Sequence, residues 1–311
     1  MGKKITIIVL IIAVIIFSVI YSYHLISKVT DSGEYRITNV NIYKDTPAWN
    51  LALAVKEQKT KTIEKIVKDK PELLNYQEPK YGATLLSWAI GMEMYQSAET
   101  LLKSGADPNI ASMRYGETPL FKAAGYSWVD NDAQKDPKYV KLLLLYGANP
   151  NKNYLGIDTS GKESVIEPGS SPLMNSIPCG IEKTKALIEA GADINYKTKT
   201  GSTAAVEALL SKEFPEYAYY LIAEKKAIVS EPYYRRESYG NEDSNEKFYP
   251  VTILRNWVFS LDSKEYKMKM EIVEEFARQG VNYWDTKINK YTLEHIKKLY
   301  PDTWEEYIKK Y

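Results

Sequence analysis

Cysteine and histidine are nearly missing from this chain: 311 residues carry one Cys and two His. A lone thiol closes no intrachain disulfide, so Cys179 reads as a small buried apolar residue at a helix edge. The histidines, His24 and His295, are too few for a multi-histidine metal site or a histidine-based catalytic triad. Net charge is also close to absent. At +1, the chain has no long-range attraction for a phosphate backbone, and nucleic acid is not expected as a partner. Carboxylates are plentiful, but Glu271, Glu274, Glu275, Glu224 beside Lys225-Lys226, and Glu305-Glu306 fit solvated helix faces. The one glycine-rich lookalike, Gly156 to Glu163, matches a phosphate loop up to its last position. There Glu163 replaces the hydroxyl that would ligate magnesium, and neither a strand before it nor an apolar helix after it is present. No cofactor and no catalytic residue are expected; a hydrolase or nucleotide-using enzyme is the rival class, without a site to support it.

Against these absences stands a phrase that returns three times: Gly105-Ala106-Asp107-Pro108-Asn109, Gly147-Ala148-Asn149-Pro150-Asn151 and Gly191-Ala192-Asp193-Ile194-Asn195. Each copy follows an apolar pair at one offset: Leu101-Leu102, Leu143-Leu144, Leu187-Ile188. A second phrase precedes each: Thr84-Leu85-Leu86, Thr118-Pro119-Leu120 and Ser171-Pro172-Leu173. Thr or Ser caps a helix start, and Pro fits its first turn. Glycine ends the second helix in the left-handed conformation, and the short Asp and Asn side chains bond back to the turn backbone. Two phrases in fixed order predict a repeat architecture of helix pairs.

The pattern T-P-L-x-x-A-A followed by L-L-x-x-G-A-D-x-N resembles the ankyrin repeat, whose period is about 33 residues; Thr84 and Thr118 stand 34 apart. The family's histidine in the first phrase is replaced by Ser87, Phe121 and Met174. A degenerate first repeat opens at Thr46-Pro47-Ala48-Trp49, with its second helix over about 60–74. A fifth opens at Thr203-Ala204-Ala205 but reads Glu224-Lys225-Lys226-Ala227 where the glycine turn is due. A sixth runs from Pro250-Val251 to Gly280-Val281-Asn282. Leu293, Ile296, Leu299, Trp304 and Ile308 then predict capping helices, as terminal repeats have one face in water. The expected fold is an all-α solenoid of five or six helix pairs with long inter-repeat loops over 45–285, and a helical cap over 286–311.

Residues 5–25 are almost unbroken hydrocarbon, long enough to cross a bilayer core of roughly 20 residues. No small-x-small cleavage pattern follows, which predicts an uncleaved transmembrane anchor over 1–28 and a linker over 29–44. Lys3 and Lys4 place the N-terminus inside and the repeats outside. The expectation is a single-pass protein of a bacterial inner membrane with its repeats in the periplasm.

Spacing locates three insertions. Thr84 to Gly105 is 21 residues but Thr118 to Gly147 is 29, so extra chain lies near 126–137. Gly105 to Thr118 is 13 but Gly147 to Ser171 is 24, which lengthens the loop 152–168. The third is 229–249. Long connections in a compact fold are functional or disordered. Tyrosine is abundant, with 26 in the chain, and several of these lie in the insertions. Tyr, Trp and Arg dominate interface hot spots. Trp128, Tyr154, Ile157, Tyr233, Tyr234, Arg235 and Arg236 are therefore the candidate partner-binding residues. The resemblance implies a protein-binding module that recognises its partner through the concave surface and loop tips. Membrane-anchored bacterial ankyrin proteins include immunity proteins against a toxin, so a toxin is the expected partner and an envelope scaffold the alternative.

Overall fold

The computed structural model describes residues 35–129, 135–156, 166–234 and 246–311. Helices come in pairs. The first pair is α1 (Trp49–Lys56) and α2 (Thr60–Asp69), followed by α3 (Leu85–Gly91) and α4 (Tyr95–Lys103). Next come α5 (Pro119–Ala124) with α6 (Lys138–Leu145), and α7 (Pro172–Asn175) with α8 (Ile181–Glu189). The fifth pair is α9 (Ala204–Leu210) and α10 (Pro215–Ala218), which continues as a π-helical stretch over Tyr219–Glu224. The sixth is α11 (Pro250–Leu254) and α12 (Lys264–Arg278), closed by α13 (Lys290–Leu299) and α14 (Trp304–Ile308). First helices stack on first helices from α1 to α11, and second helices form a parallel row. A short antiparallel ribbon, β1 (Tyr233–Tyr234) with β2 (Lys247–Phe248), interrupts the helical pattern in the third insertion.

One local device starts four of the first helices. The hydroxyls of Thr84, Thr118, Ser171 and Thr203 accept from the backbone N–H three residues on, at 3.1–3.2 Å. Each bond satisfies a helix donor that would otherwise be orphaned. Behind the caps the apolar residues turn inward: Leu85, Leu120, Leu173 and Leu209 are all buried. Small residues such as Ala89, Ala124 and Ala205 let neighbouring helices approach.

The glycine turns are built as the phrase predicts. Gly105, Gly147, Gly191 and Gly280 have φ of 96°, 84°, 87° and 80°. The next N–H reaches back over the turn, from Ala106 to Leu101 O, Ala148 to Leu143 O and Ala192 to Leu187 O, each at 3.0 Å. Asp107, Asn149 and Asp193 each accept from the N–H two residues on, closing the turn on itself. The last asparagine of the phrase acts between repeats. Asn109 Nδ2 donates to Gly147 O at 3.0 Å while its Oδ1 accepts from Asn149 N at 2.7 Å. Asn151 does the same to Gly191 O and Asp193 N. The phrase therefore joins the repeats as well as ending their helices.

Two sequence expectations are revised. No helix among the described residues is long and apolar enough to cross a membrane. The longest, α12, has 15 residues, or about 22 Å at 1.5 Å per residue against a core of about 30 Å, and it is studded with Lys and Glu. The predicted anchor over 1–28, with its apolar stretch 5–25, lies outside the described residues. Among the described residues the fold is the repeat array with no helix able to span a membrane, and the single-pass inner-membrane placement with periplasmic repeats is withdrawn. The stretch read as a linker over 29–44 is also packed at its end: Val40–Tyr43 forms a 3-10 turn, and the buried Tyr43 donates its hydroxyl to Ala83 O at 3.0 Å.

Candidate functional site

The three insertions converge on one cleft of about 740 Å³ along the row of first helices. The first contributes Tyr126, the second Ile166 and Glu167, and the third Tyr233, Tyr234 and Phe248. The floor comes from Met174 and Asn175 of α7, Ile177 and Pro178 behind it, and Glu207 and Leu210 of α9. Tyr217 fixes that floor, since its hydroxyl donates to Pro178 O at 2.9 Å and accepts from Gly180 N at 2.7 Å.

Local pairing holds the walls. The stem of the second insertion is closed by Tyr154 N to Ser170 O at 2.9 Å and Gly169 N to Tyr154 O at 2.7 Å. In the third insertion Tyr233 pairs with Phe248, their rings 5.9 Å apart. Thr200 links the two walls. Its N–H and hydroxyl donate to the Glu167 carboxylate at 3.2 and 2.9 Å, and its carbonyl accepts from Tyr234 N at 2.8 Å. Gly201 beside it takes φ 80°, letting the chain pass under Pro232 and Tyr233.

Among the described residues, the charged side chains that line the cleft are the carboxylates Glu167 and Glu207. Glu207 accepts one short bond, 2.6 Å, from the buried Ser202 hydroxyl. Burial raises its pKa above the ordinary carboxylate range; the Ser202 bond opposes this, and the charge of Glu167 adds to it. Neither carboxylate is in an ion pair among the described residues. No lysine or arginine among them lines the cleft.

The predicted partner-binding residues separate. Tyr233 and Tyr234 stand in the cleft. Tyr154 faces inward: it is 6% exposed and stacks on Phe121 at 5.1 Å, so its ring is held by the core and turned away from a partner. Trp128 is half-buried, its ring occupying the space where a Cβ on Gly91 would sit, with Lys122 Nζ 4.6 Å above it. Ile157, Arg235 and Arg236 lie outside the described residues, as does most of the phosphate-loop lookalike beyond Gly156. Sequence reasoning missed Glu167, Glu207 and Leu210. A signal for Glu207 existed, since it stands four residues after the capping Thr203, as Asn175 does after Ser171 and Lys122 after Thr118. All three line concavities on one side of the array.

Cys179 is buried, which pushes its thiol up to about 11 and makes it a poor nucleophile at neutral pH. His295 lines a separate cleft of about 470 Å³ with Trp257 and Tyr291. Among the described residues no group of three or more His, Cys, Asp or Glu is placed to hold a metal ion.

Comparison with known proteins gives two partial likenesses, and no family model matches the chain. A stretch of 72 residues, 23% of the chain, is 38% identical to an ankyrin repeat protein of Acanthamoeba polyphaga mimivirus, of which it covers 8%. A stretch of 77 residues, 24% of the chain, is 35% identical to a glycerophosphocholine phosphodiesterase of Eremothecium gossypii, of which it covers 5%. The matched stretches thus span less than a tenth of either relative. The first likeness supports ankyrin-repeat character, which is compatible with a protein-binding module.

Proposed function

We propose that this chain is a non-enzymatic protein-binding module that holds its partner in the cleft between the three insertions. The observation that carries the reading is the convergence itself. Segments separated by the spacing of whole repeats bring Tyr126, Tyr233, Tyr234, Phe248 and Ile166 to one concave surface. Rigid aromatic area with polar edges suits a folded protein surface. The phosphodiesterase named above keeps its activity to itself: the stretch shared with it is 5% of that protein, and the reading assigns no catalytic step to this chain. An immunity role, with a toxin as the partner, is the narrower form of the proposal. A scaffold for a resident protein is the other form, and the partner's identity separates them.

The test is site-specific photocrosslinking of the full chain in its native cells. A benzophenone amino acid replaces Tyr126 or Leu210 in the cleft, or Lys185 on the second row of helices. Adducts with one and the same protein from both cleft positions, and none from Lys185, are expected. Adducts from Lys185 with the cleft positions silent would place binding on the opposite row and overturn the assignment.

A further inference from the structure

We infer that residues 300–311 form a strap that falling pH loosens, with Tyr311 as its plug over the buried side chains of Lys269 and Arg255. The strap works in this way whatever the array binds.

The plug is held at both ends of its side chain. Tyr311 is fully buried, and its ring centre lies 4.0 Å from Lys269 Nζ and 4.8 Å from the Arg255 guanidinium. Its hydroxyl donates to Arg255 O, and its carbonyl accepts from Arg255 Nη1 at 2.7 Å. Tyrosines tie the rest of the strap: Tyr307 donates to Phe259 O and Tyr266 to Lys310 O, both at 2.6 Å. Its buried rings gather with Ile296 in a small cluster separate from the core of the repeats. A segment held by a few hydrogen bonds and a satellite cluster opens at lower cost than the array beneath it.

Charge couples that opening to protons. Lys269 faces Arg255 from the end of α11, the rings of Tyr283 and Tyr311, and Trp257 O, which accepts from it at 2.6 Å. Arg255 spends its own donors on Thr286 O and Tyr311 O. Burial pushes both phenols up, Tyr283 to about 12, so neither brings a negative charge near neutral pH. The rings favour a cation, but burial first, and the charge of Arg255 second, push the amine down to about 6. Once Tyr311 lifts, water reaches the amine and it titrates near its ordinary 10.5. Between those values release takes up one proton, so each unit fall in pH favours the lifted strap by up to about tenfold. Below about pH 6 docked and lifted states are both protonated and the effect is flat.

The same bonds give the strap something to control. Trp257 and Phe259 line the cleft of about 470 Å³ that α13 borders with Tyr291 and His295. Their carbonyls are the acceptors of Lys269 and Tyr307. Lifting the strap takes the Tyr307 donor away, and that wall of the cleft loosens with it.

The experiment is hydrogen exchange of the full chain, read by mass spectrometry from about pH 6.5 to 8.5 and corrected for the intrinsic rate. The N–H groups of Tyr307, Lys310 and Tyr311 report on the strap, and those of Ala106, Ala148 and Ala192 on the array. Strap protection should lie well below that of the array and should rise by roughly tenfold per pH unit. Lys269→Met should abolish the rise. Strap protection indifferent to pH, or equal to that of the array at every pH, would overturn the inference from the unaltered chain alone, even if the variant melts early. A rise that survives in a folded Lys269→Met would assign the proton to another group and overturn it as well.

Discussion

Between Gly105 and Asn195 the inter-repeat turn is made three times from the same side chains; between Glu224 and Val229, with Gln279 on the far side, substitutes make it. In the first region glycine takes the left-handed position, and asparagine bridges to the next repeat. In the second, Lys226 takes φ 61°, and Ala227 N reaches Leu221 O, one residue further back than the matching bonds at Ala106, Ala148 and Ala192. The extra residue is absorbed as the π-helical stretch Tyr219–Glu224. Asn195 still accepts from Ile228 N at 2.9 Å. From the far side Gln279 replaces an asparagine, accepting from Val229 N at 2.8 Å and donating to Ala227 O at 3.0 Å. The lesson is that the array preserves its inter-repeat hydrogen bonds and lets the residues that make them change.

Each region buries a lysine, and the one in the C-terminal region gives the largest expected effect. In the C-terminal region Lys269 is fully buried, donates to Trp257 O at 2.6 Å and lies 4.0 Å from the centre of the Tyr311 ring. The ring favours the cation, but burial first, and the charge of Arg255 second, push the amine down to about 6. In the unfolded chain it titrates near its ordinary 10.5. Between those values the unfolded state binds the extra proton, so stability rises with pH, by at most about 1.4 kcal/mol per pH unit. Below about pH 6 both states are protonated and this contribution is flat. Urea titrations from about pH 7 to 9 should show the rise, and Lys269→Met should remove about one proton's worth of slope. Lys183, buried under the carbonyls of Ala124 and Gly125, is lowered in the same direction by burial. If Lys183→Met removes the slope and Lys269→Met leaves it, the contrast between the regions is misplaced.

Much of this was legible in the sequence because it is local. The capping bond spans three residues and the glycine turn about six, so residue type and spacing are enough to write both. Insertion arithmetic found all three walls of the cleft for the same reason, since a fixed period makes extra chain countable. Facing direction in a loop is not local. Tyr154 and Tyr234 are both loop tyrosines, yet Phe121 across the repeat boundary draws one inward and Thr200 holds the backbone of the other at the cleft. Glu167 and Glu207 are 40 residues apart, and only the stacking of α7 against α9 brings them to one cleft. The π-helical stretch was hidden because one added residue erases the glycine signature without changing the apolar pattern around Leu221.

A smaller effect probes the regular region. Gly191 has φ 87° and nothing within 4 Å of a built Cβ, so space is not its constraint. Gly191→Val forces a β-branched residue into the left-handed region, at a cost on the order of 1–3 kcal/mol. The melting temperature should fall and, because each repeat is held by its neighbours, it should fall as a single transition. An unchanged melt would show that this turn bears no strain.

The converse substitution, Lys226→Gly, carries the smallest effect and tests the comparison most directly. Lys226 holds the left-handed position that glycine holds elsewhere, a conformation worth about 1–2 kcal/mol of strain for an L-residue. Glycine would release that strain, but it adds freedom to the unfolded chain worth roughly 0.5–1 kcal/mol. It also removes the contact of Lys226 Nζ with Glu275 at 2.9 Å, in which the lysine is 54% exposed. Such half-exposed pairs contribute about 0–1 kcal/mol, and Arg278 remains on the same carboxylate at 2.8 Å. The three terms nearly cancel, so Lys226→Gly should shift stability by less than about 1 kcal/mol in either direction. High salt screens the lysine's contribution and should move the balance toward glycine. A loss of several kcal/mol would mean that Lys226 does more than end a helix, and that the fifth turn is a different structure from the other four.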